Sequence, residues 1–578
     1  MPQSEALAIY LPDGQVTPPI NPYGRLIANA GTYRALAQSG QYRRLHIQSR
    51  TPRDPCEVGE ELGILPNAVE VTTGSLLGAE SAARAGTLLS GQPYLSEPAW
   101  VRRHAGLDTA YSIVGTIFAY ASATHRELMM HSALAPLQEW DALLCSSPTL
   151  RQTVADTFDR WEDYLRQRLS GDELDTQSGS AARRLRLSRP QLPVIPFGSD
   201  VEKIAGQAAD SAARADLRTA LGIGSDDVMV YFLGRLSYYD KAFPQAMIKA
   251  VQAAGRRTGV TTHFVMTGWF PEGPKDRRMF EEVVSAYAPG LSVTFLDGND
   301  PVVVGQCWAA ADIFLLLSDT ILETFGQALV EAMAAGVPVV VSDWDGYRSI
   351  VRDGREGFLV PTMGAPSGAL GESLALLQAT GMIGYPQYAG AVAQHTAVSV
   401  EAAAQALEAL IASPDLRREM GAAGQYRARE HFSWPVVASQ YSEVFTELAA
   451  IRARAEQSGE LPSAGHRSNP LRGDPFLDFR TLPTTVLTDD TALRLAPGHA
   501  DRAAGSMLAD PIPALDGMFP GLRGSASEAE SVLELLEVGG SQSVGQVLSA
   551  FPARRRAFVR MTIMWLAKAG AVEWVAPD

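Results

Sequence analysis

Cysteine is scarce in this chain: Cys56, Cys145 and Cys307 are the only three among 578 residues. They are far apart, odd in number and form no CxxC pair. A disulfide framework is excluded and a reducing, cytoplasmic setting is expected. Positive charge is also in deficit, with 49 Lys and Arg against 64 Asp and Glu and a formal net charge of −15. That balance argues against a dominant nucleic-acid or anionic-membrane surface. No apolar run approaches the ~20 residues of a membrane span. The opening residues Met1-Pro2-Gln3-Ser4-Glu5 lack a basic stretch followed by an apolar one, so no secretory signal is expected. The nine histidines make no HxH or HExxH pair, which leaves no basis for a zinc site.

What is present is an ordinary globular composition, 46% hydrophobic and 20% charged. The chain is too long for one core, which stops growing near roughly 250–300 residues. Short apolar, β-branched runs alternate with helix-length segments over most of the first 430 residues. The runs are Ala6–Tyr10, Leu45–Gln48, Val69–Thr72, Ser112–Phe118, Ala142–Cys145 and Leu192–Ile195, then Val228–Leu233, His263–Thr267, Ser292–Leu296, Ile313–Leu317, Val337–Val341 and Gly357–Val360. Continuous apolar runs are the mark of buried parallel strands, and two successive sets predict two doubly wound α/β domains. The break is expected at Pro196-Phe197-Gly198, after the Arg-rich stretch Ala182–Arg189, which gives domains over 1–196 and 197–433. Apolar residues at three- and four-residue spacings predict an amphipathic helix over 434–456. A Gly-, Pro-, Ser- and Asn-rich linker is expected over 457–478. The remainder, 479–578, carries three helical segments (Glu528–Val538, Ser543–Phe551 and Ala553–Ala569) and a short strand, Ala571–Val575. That is the order of a winged-helix-like module.

Two local features carry chemistry. The first is Glu323-Thr-Phe-Gly-Gln-Ala-Leu-Val-Glu331, which follows an apolar run and opens a helix. Residues eight apart lie a little over two turns apart, so Glu323 is expected at the helix entrance and Glu331 further in on the same side. Gly326 would admit a ligand close to the backbone, and the N–H groups of Phe325, Gly326 and Gln327 would attract an anionic oxygen. The second is Gly234-Arg235 at the end of Val228–Leu233, with Lys241 six residues beyond Arg235. Two cations at the C-terminal edge of a parallel sheet suit a diphosphate. Taken singly, the glutamates also fit a helix cap and a solvated face, and the cations an ordinary loop.

Together these residues resemble the retaining glycosyltransferases of the GT-B fold, glycosyl transferase group 1 (family 4). The resemblance runs from about Leu192 to about Tyr441. It includes Pro193-Val-Ile-Pro-Phe-Gly-Ser-Asp200, Gly234-Arg235 with Lys241, Asp312-Ile-Phe-Leu-Leu-Leu-Ser318, the Glu323/Glu331 pair, Gly336-Val-Pro-Val-Val-Val-Ser-Asp343, and Gly346 through Gly357-Phe-Leu-Val-Pro361. It implies two Rossmann-like domains facing across a cleft, closed by a helix that crosses back to the first. A nucleotide-sugar donor would bind mainly the second domain and an acceptor the first. In that pattern Arg235 and Lys241 neutralise the diphosphate leaving group, Glu323 contacts the donor sugar and Glu331 accepts from ribose hydroxyls. Thr324, Phe325, Gly326 and Gln327 complete the donor loop beside Gly234. The resemblance implies hexosyl transfer with retention, without a metal and with no cofactor beyond the donor itself.

The first half departs from the family pattern. A Gly-rich loop is expected after the first strand, and the candidate is Pro22-Tyr23-Gly24-Arg25, whose Gly24 the resemblance implies is donor-binding. Many relatives end the run that here reads Ser112–Phe118 with a histidine, where this chain has Phe118; His125 is the substitute candidate. Ser146 and Ser147, following Ala142–Cys145, are expected to line the cleft. Asp343-Trp344-Asp345 has the spacing of a metal-binding DxD motif, but its place after a strand and before Gly346 argues against metal binding. In the tail, Arg554, Arg555, Arg556 and Arg560 form a basic stripe within a slightly acidic segment, which favours protein or peptide recognition or dimerisation over nucleic acid. The acceptor is left open among protein or peptide, glycan and lipid. A non-catalytic binding or regulatory protein of the same fold is the alternative, supported by Phe118.

Overall fold

The computed structural model describes residues 5–12, 24–51, 53–64, 69–169, 189–459, 466–497 and 519–575. They form two compact units, Met1–Asn469 and Pro470–Asp578. Pro22 and Tyr23 of the candidate Gly-rich loop, and the Arg-rich stretch up to residue 188, lie outside the described residues.

The first unit is built on two six-stranded parallel sheets. One contains β1 (Ala6–Tyr10), β2 (Arg44–Ser49), β3 (Glu70–Ser75), β4 (Thr87–Ser90), β5 (Ser112–Thr116) and β6 (Ala142–Leu144), in the order β3-β2-β1-β4-β5-β6. The other contains β7 (Val228–Leu233), β8 (Thr262–Gly268), β9 (Ser292–Asp297), β10 (Ile313–Leu316), β11 (Val339–Ser342) and β12 (Gly357–Val360), in the order β12-β11-β10-β7-β8-β9. Each sheet thus repeats the doubly wound order 3-2-1-4-5-6, with its switch point between its first and fourth strands. The architecture is α/β, two Rossmann-like halves of the GT-B type.

The apolar runs form strands because helices bury both of their faces. Leu7, Ile9, Leu45 and Ile47 belong to one core, while Ala8, Tyr10, Leu88 and Ile113 face a second. In the second half β7, β10 and β11 are buried almost throughout. The helix Trp434–Ser458 places Val437, Tyr441, Phe445 and Leu448 in the core that holds Leu7 and Ile9. The chain therefore returns to the first half after building the second. Trp434 opens this helix at the junction, where a Cβ on Gly31 or Gly198 would meet its ring at 2.2 and 2.3 Å.

Two strand assignments need correction. Leu192–Ile195 is not a strand: Pro193 and Pro196 lack the N–H groups a ladder needs, and only isolated bridges pair Gln191 with Ala142 and Val194 with Cys145. The run Thr87–Ser90, unmarked in the sequence reading, supplies the fourth strand of the first sheet instead.

In the second unit, helices Ala526–Gly539, Val544–Ser549 and Arg556–Lys568 pack beside an antiparallel sheet of Ala492–Leu495, Gln542–Ser543 and Val572–Val575. Capping boxes at Ser525/Glu528 and Ser543/Gln546 start the first two helices. The basic stripe is partly neutralised: Arg555 pairs with Glu528 at 2.7 Å and Arg560 with Asp489.

Candidate active site

Lys241 and Glu323, two of the predicted donor residues, meet at the switch point of the second sheet. Lys241 lies in the loop after β7, Glu323 in the loop after β10, and these strands are neighbours. In doubly wound sheets the connections leave this point in opposite directions and open a crevice at the carboxyl ends of the strands. Lys241 Nζ lies 2.5 Å from Glu323 Oε2, and the two side chains are only 15% and 14% exposed.

The Lys241 loop is fastened from below. Ser318 Oγ donates to the Lys241 carbonyl at 3.0 Å, and the Phe243 N–H donates to Asp319 Oδ2 at 3.4 Å. Arg235 is held by Asp240 at 2.5 Å. At the ends of β7, β8 and β9, Gly234, Gly268 and Gly298 let three turns approach closely; a Cβ on Gly268 would lie 1.9 Å from the Gly234 carbonyl oxygen.

Glu331 joins the group by a route that spacing did not reveal. The helix begins at Gln327, not near Glu323, and its N-cap Gly326 has φ 110° in the left-handed region. Glu323 therefore precedes the helix, and the shared-face argument fails at Gly326. What relates the two carboxylates is Lys241: it bonds Glu323, and its field acts on Glu331. Burial raises the Glu331 carboxyl to about 7, with the Lys241 ammonium pulling it back.

Other donor-loop residues face the junction between the halves. Thr324 Oγ1 donates to the Phe118 carbonyl at 2.8 Å, and Ser146 Oγ donates to the Thr324 carbonyl at 3.2 Å. Gln327 Nε2 donates to the Gly198 carbonyl at 2.8 Å. Phe118 stacks on Phe197 with centroids 4.9 Å apart, and Phe197 meets the edge of Phe325 at 5.2 Å. Thr324 thus bonds across to the first half, while Gln327 and Phe325 engage Gly198 and Phe197 at the start of the second half. Phe118, expected as a replaced functional position, is part of the same aromatic column.

His125 and Gly24 both lie in the first half. Gly24 opens the helix Gly24–Gln38 with open space beside it. His125 lies in the first turn of Ala123–Met130, its ring 5.9 Å from that of Tyr94. Burial, assisted by Arg25, lowers its proton affinity and favours the neutral imidazole. No hydrogen bond or ring contact described joins His125 to Lys241 or Glu323.

Three further groups escaped the sequence reading. Asp319, two residues beyond the apolar run, is 4% exposed, and burial raises its carboxyl to about 7; its Oδ1 has no hydrogen-bond partner. Its position directly after Ser318, at a strand end, was the available signal. Tyr347 is fully buried, and a Cβ on Gly326 would lie 2.5 Å from its ring. Asp345, read only as half of a DxD motif, accepts a hydrogen bond from Ser147 Oγ at 2.7 Å, while Asp343 pairs with Arg348 at 2.6 Å. The two aspartates are turned to different partners.

Chemically, the site offers a fixed ammonium and guanidinium for an anionic leaving group, and carboxylates able to accept from hydroxyls. Residues 213–374 match the profile of the family described as "Glycosyl transferases group 1". The chain is 30% identical over 195 residues to a D-inositol 3-phosphate glycosyltransferase of Nocardia farcinica, covering 33% of this chain and 41% of that protein. It is 33% identical over 178 residues to a phosphatidyl-myo-inositol mannosyltransferase of Mycobacterium leprae, covering 30% and 38%. The chain thus spans less than half the length of these two curated relatives. Among solved structures, Anabaena Alr3699/HepE in complex with UDP is similar at 15% identity and a TM-score of 0.47, covering 76% of this chain and 99% of that one. Among the described residues, no helix is long and apolar enough to cross a membrane.

Proposed function

From the match of residues 213–374 to the glycosyl transferases group 1 family, we propose that the chain transfers a hexose from a nucleotide sugar to an acceptor hydroxyl, with retention at the anomeric carbon. The observation that carries this reading is the Lys241–Glu323 pair at the switch point of the second sheet, with Arg235 on the same strand-end loop as Lys241. Lys241 and Arg235 neutralise the charge that develops on the nucleoside diphosphate as the glycosidic bond breaks. Glu323 accepts from a hydroxyl of the transferred sugar, and Glu331 from the ribose. The backbone at Gly326 and Gln327 receives the remaining sugar or phosphate oxygens. The acceptor enters from the first half, where His125 lies; Gly24, at the start of that half's first helix, is assigned to the donor. The relatives' names, which mention inositol phosphate and phosphatidyl-inositol, support a polyol hydroxyl as the attacking group.

The reaction is proposed to need neither metal nor cofactor. Fixed cations take the role that a divalent ion would play on the diphosphate, and the DxD-like aspartates are engaged by Arg348 and Ser147. Activity that survives a chelator supports this; complete loss restored by manganese overturns it.

Titration calorimetry of the purified chain against UDP-, GDP- and ADP-sugars tests the reading as a whole. Binding of one donor, followed by its turnover, is expected. Absence of binding to all three overturns the proposal. A second reading, a binding or regulatory protein without turnover, is favoured by Phe118, whose ring stacks on Phe197 at the place where relatives carry histidine. Donor binding without hydrolysis or transfer would select it.

A further inference from the structure

Asp345 is the only non-glycine residue with positive φ among those described, at 28°. An L-residue there costs about 1–2 kcal/mol, less for Asp and Asn than for others, and such strain persists only where the surroundings impose it. The turn cannot move closer to the Glu323 loop. A Cβ on the next residue, Gly346, would lie 2.7 Å from the Phe325 Cα and the Thr324 carbonyl oxygen, so the turn is pressed onto the Glu323 loop.

The strained conformation places the Asp345 carboxylate 2.7 Å from Ser147 Oγ, which belongs to the other half, 198 residues earlier. Ser147 is fully buried, and its Oγ also accepts from the Leu150 N–H at 3.0 Å in the first turn of the helix Pro148–Leu169. The hydroxyl is therefore fixed by its own element before it donates to Asp345. Next to it, Ser146 donates to the Thr324 carbonyl and Thr324 to the Phe118 carbonyl. Three hydrogen bonds between the halves thus converge on Thr324, the neighbour of Glu323, and on the turn packed against it. The charged groups acting on Asp345 are Glu323, which repels it, and Arg348, which attracts it.

We infer that Asp345 is a positioning residue: its carboxylate fastens the acceptor half, through Ser147, to the loop that carries Glu323, and so sets the register between acceptor and donor. The naming of donor and acceptor sides rests on the function proposed above; the fastening itself does not. The residue type at this position is explained by the bond: glycine would suit the backbone better but could not reach Ser147.

Four variants test the role: Asp345→Gly, Asp345→Asn, Ser147→Ala and the double Asp345→Gly/Ser147→Ala. Hydrogen–deuterium exchange reads the fastening without any substrate. In Asp345→Gly, exchange is expected to rise about fivefold or more in both 142–150 and 318–327, with the melting temperature unchanged or higher because strain is relieved. Turnover of the nucleotide sugar that the wild type accepts should fall about tenfold or more, while donor Kd changes by less than about threefold. Asp345→Asn, which tolerates this backbone and still accepts from Ser147, should restore turnover to within about twofold. The double variant should lose no more than either single one. Exchange that rises only in 343–347, or losses that add in the double variant, overturns the inference. If the wild type binds none of the donors, the proposed function falls, and the exchange experiment still decides the role of Asp345.

Discussion

The Lys241 ammonium and the Glu323 carboxylate, 82 residues apart in sequence, meet at 2.5 Å where β7 and β10 end side by side. The two charges neutralise each other, and in the proposed binding mode a diphosphate at Lys241 would release Glu323 to a sugar hydroxyl. Lys241→Ala is expected to weaken nucleotide-sugar binding by about tenfold or more, equivalent to about 1.4 kcal/mol, and to abolish turnover. Glu323→Gln should keep the affinity for the free nucleoside diphosphate and lose turnover, since only the sugar contact is altered. Calorimetry with the diphosphate and with the intact donor separates the two variants. Equal effects on both ligands would refute the division of roles.

Gly326 is expected to tolerate no side chain. Its φ of 110° disfavours any L-residue, and a Cβ there would lie 2.5 Å from the ring of Tyr347, which is itself fully buried. Gly326→Ala should cost about 2–4 kcal/mol, from backbone strain and overpacking together. Denaturant unfolding measures the cost. A variant of unchanged stability would show that the turn can be rebuilt.

Glu331 predicts a pH dependence of known sign. Its folded carboxyl titrates at about 7 against an ordinary value of 4.5, chiefly because burial disfavours the charge. Between those values the unfolded chain has released the proton and the folded chain still holds it, so stability falls as pH rises through this window and is level above it. Glu331→Gln should therefore stabilise the protein by about 1–2 kcal/mol at pH 8 and leave it unchanged at pH 4. If Glu331 takes the ribose hydroxyls as proposed, the same substitution should weaken donor binding. Melting curves across pH, with and without donor, check both expectations.

The sequence showed the strands of the second half best, because Val228–Leu233 and Ile313–Leu317 are buried almost throughout and read as unbroken apolar runs. It failed where a run was too short to stand out, as at Thr87–Ser90, and where prolines made an apolar run unable to pair, as at Leu192–Ile195. Lys241 and Glu323 could be named from their motifs, but their contact could not, since it depends on β7 lying next to β10 rather than on any spacing. The helical-face argument for Glu323 and Glu331 broke on the backbone of Gly326. Asp345 was visible only as a motif letter; its role depends on a φ angle and on a hydroxyl from the other half, neither of which leaves a local trace.

The first half contains its own strict test of packing. Arg102 and Asp141 are both fully buried, joined by two bonds of 2.7 and 2.6 Å. The Arg102 guanidinium also donates to the Tyr111 carbonyl at 2.8 Å, and Asp141 accepts from the Ile113 and Gln138 N–H groups. The pair thus binds the helix Ser96–His104 to the starts of β5 and β6. Removing one partner leaves the other charge buried and unmatched, at a cost of about 3–5 kcal/mol. Asp141→Ala is expected at the upper end, because it also orphans two backbone donors. Arg102→Met combined with Asp141→Leu should cost less than Asp141→Ala alone, since no unpaired charge remains. Urea unfolding of the three variants checks the order, and a double variant less stable than the single one would show that the hydrogen bonds, not the charges, dominate there.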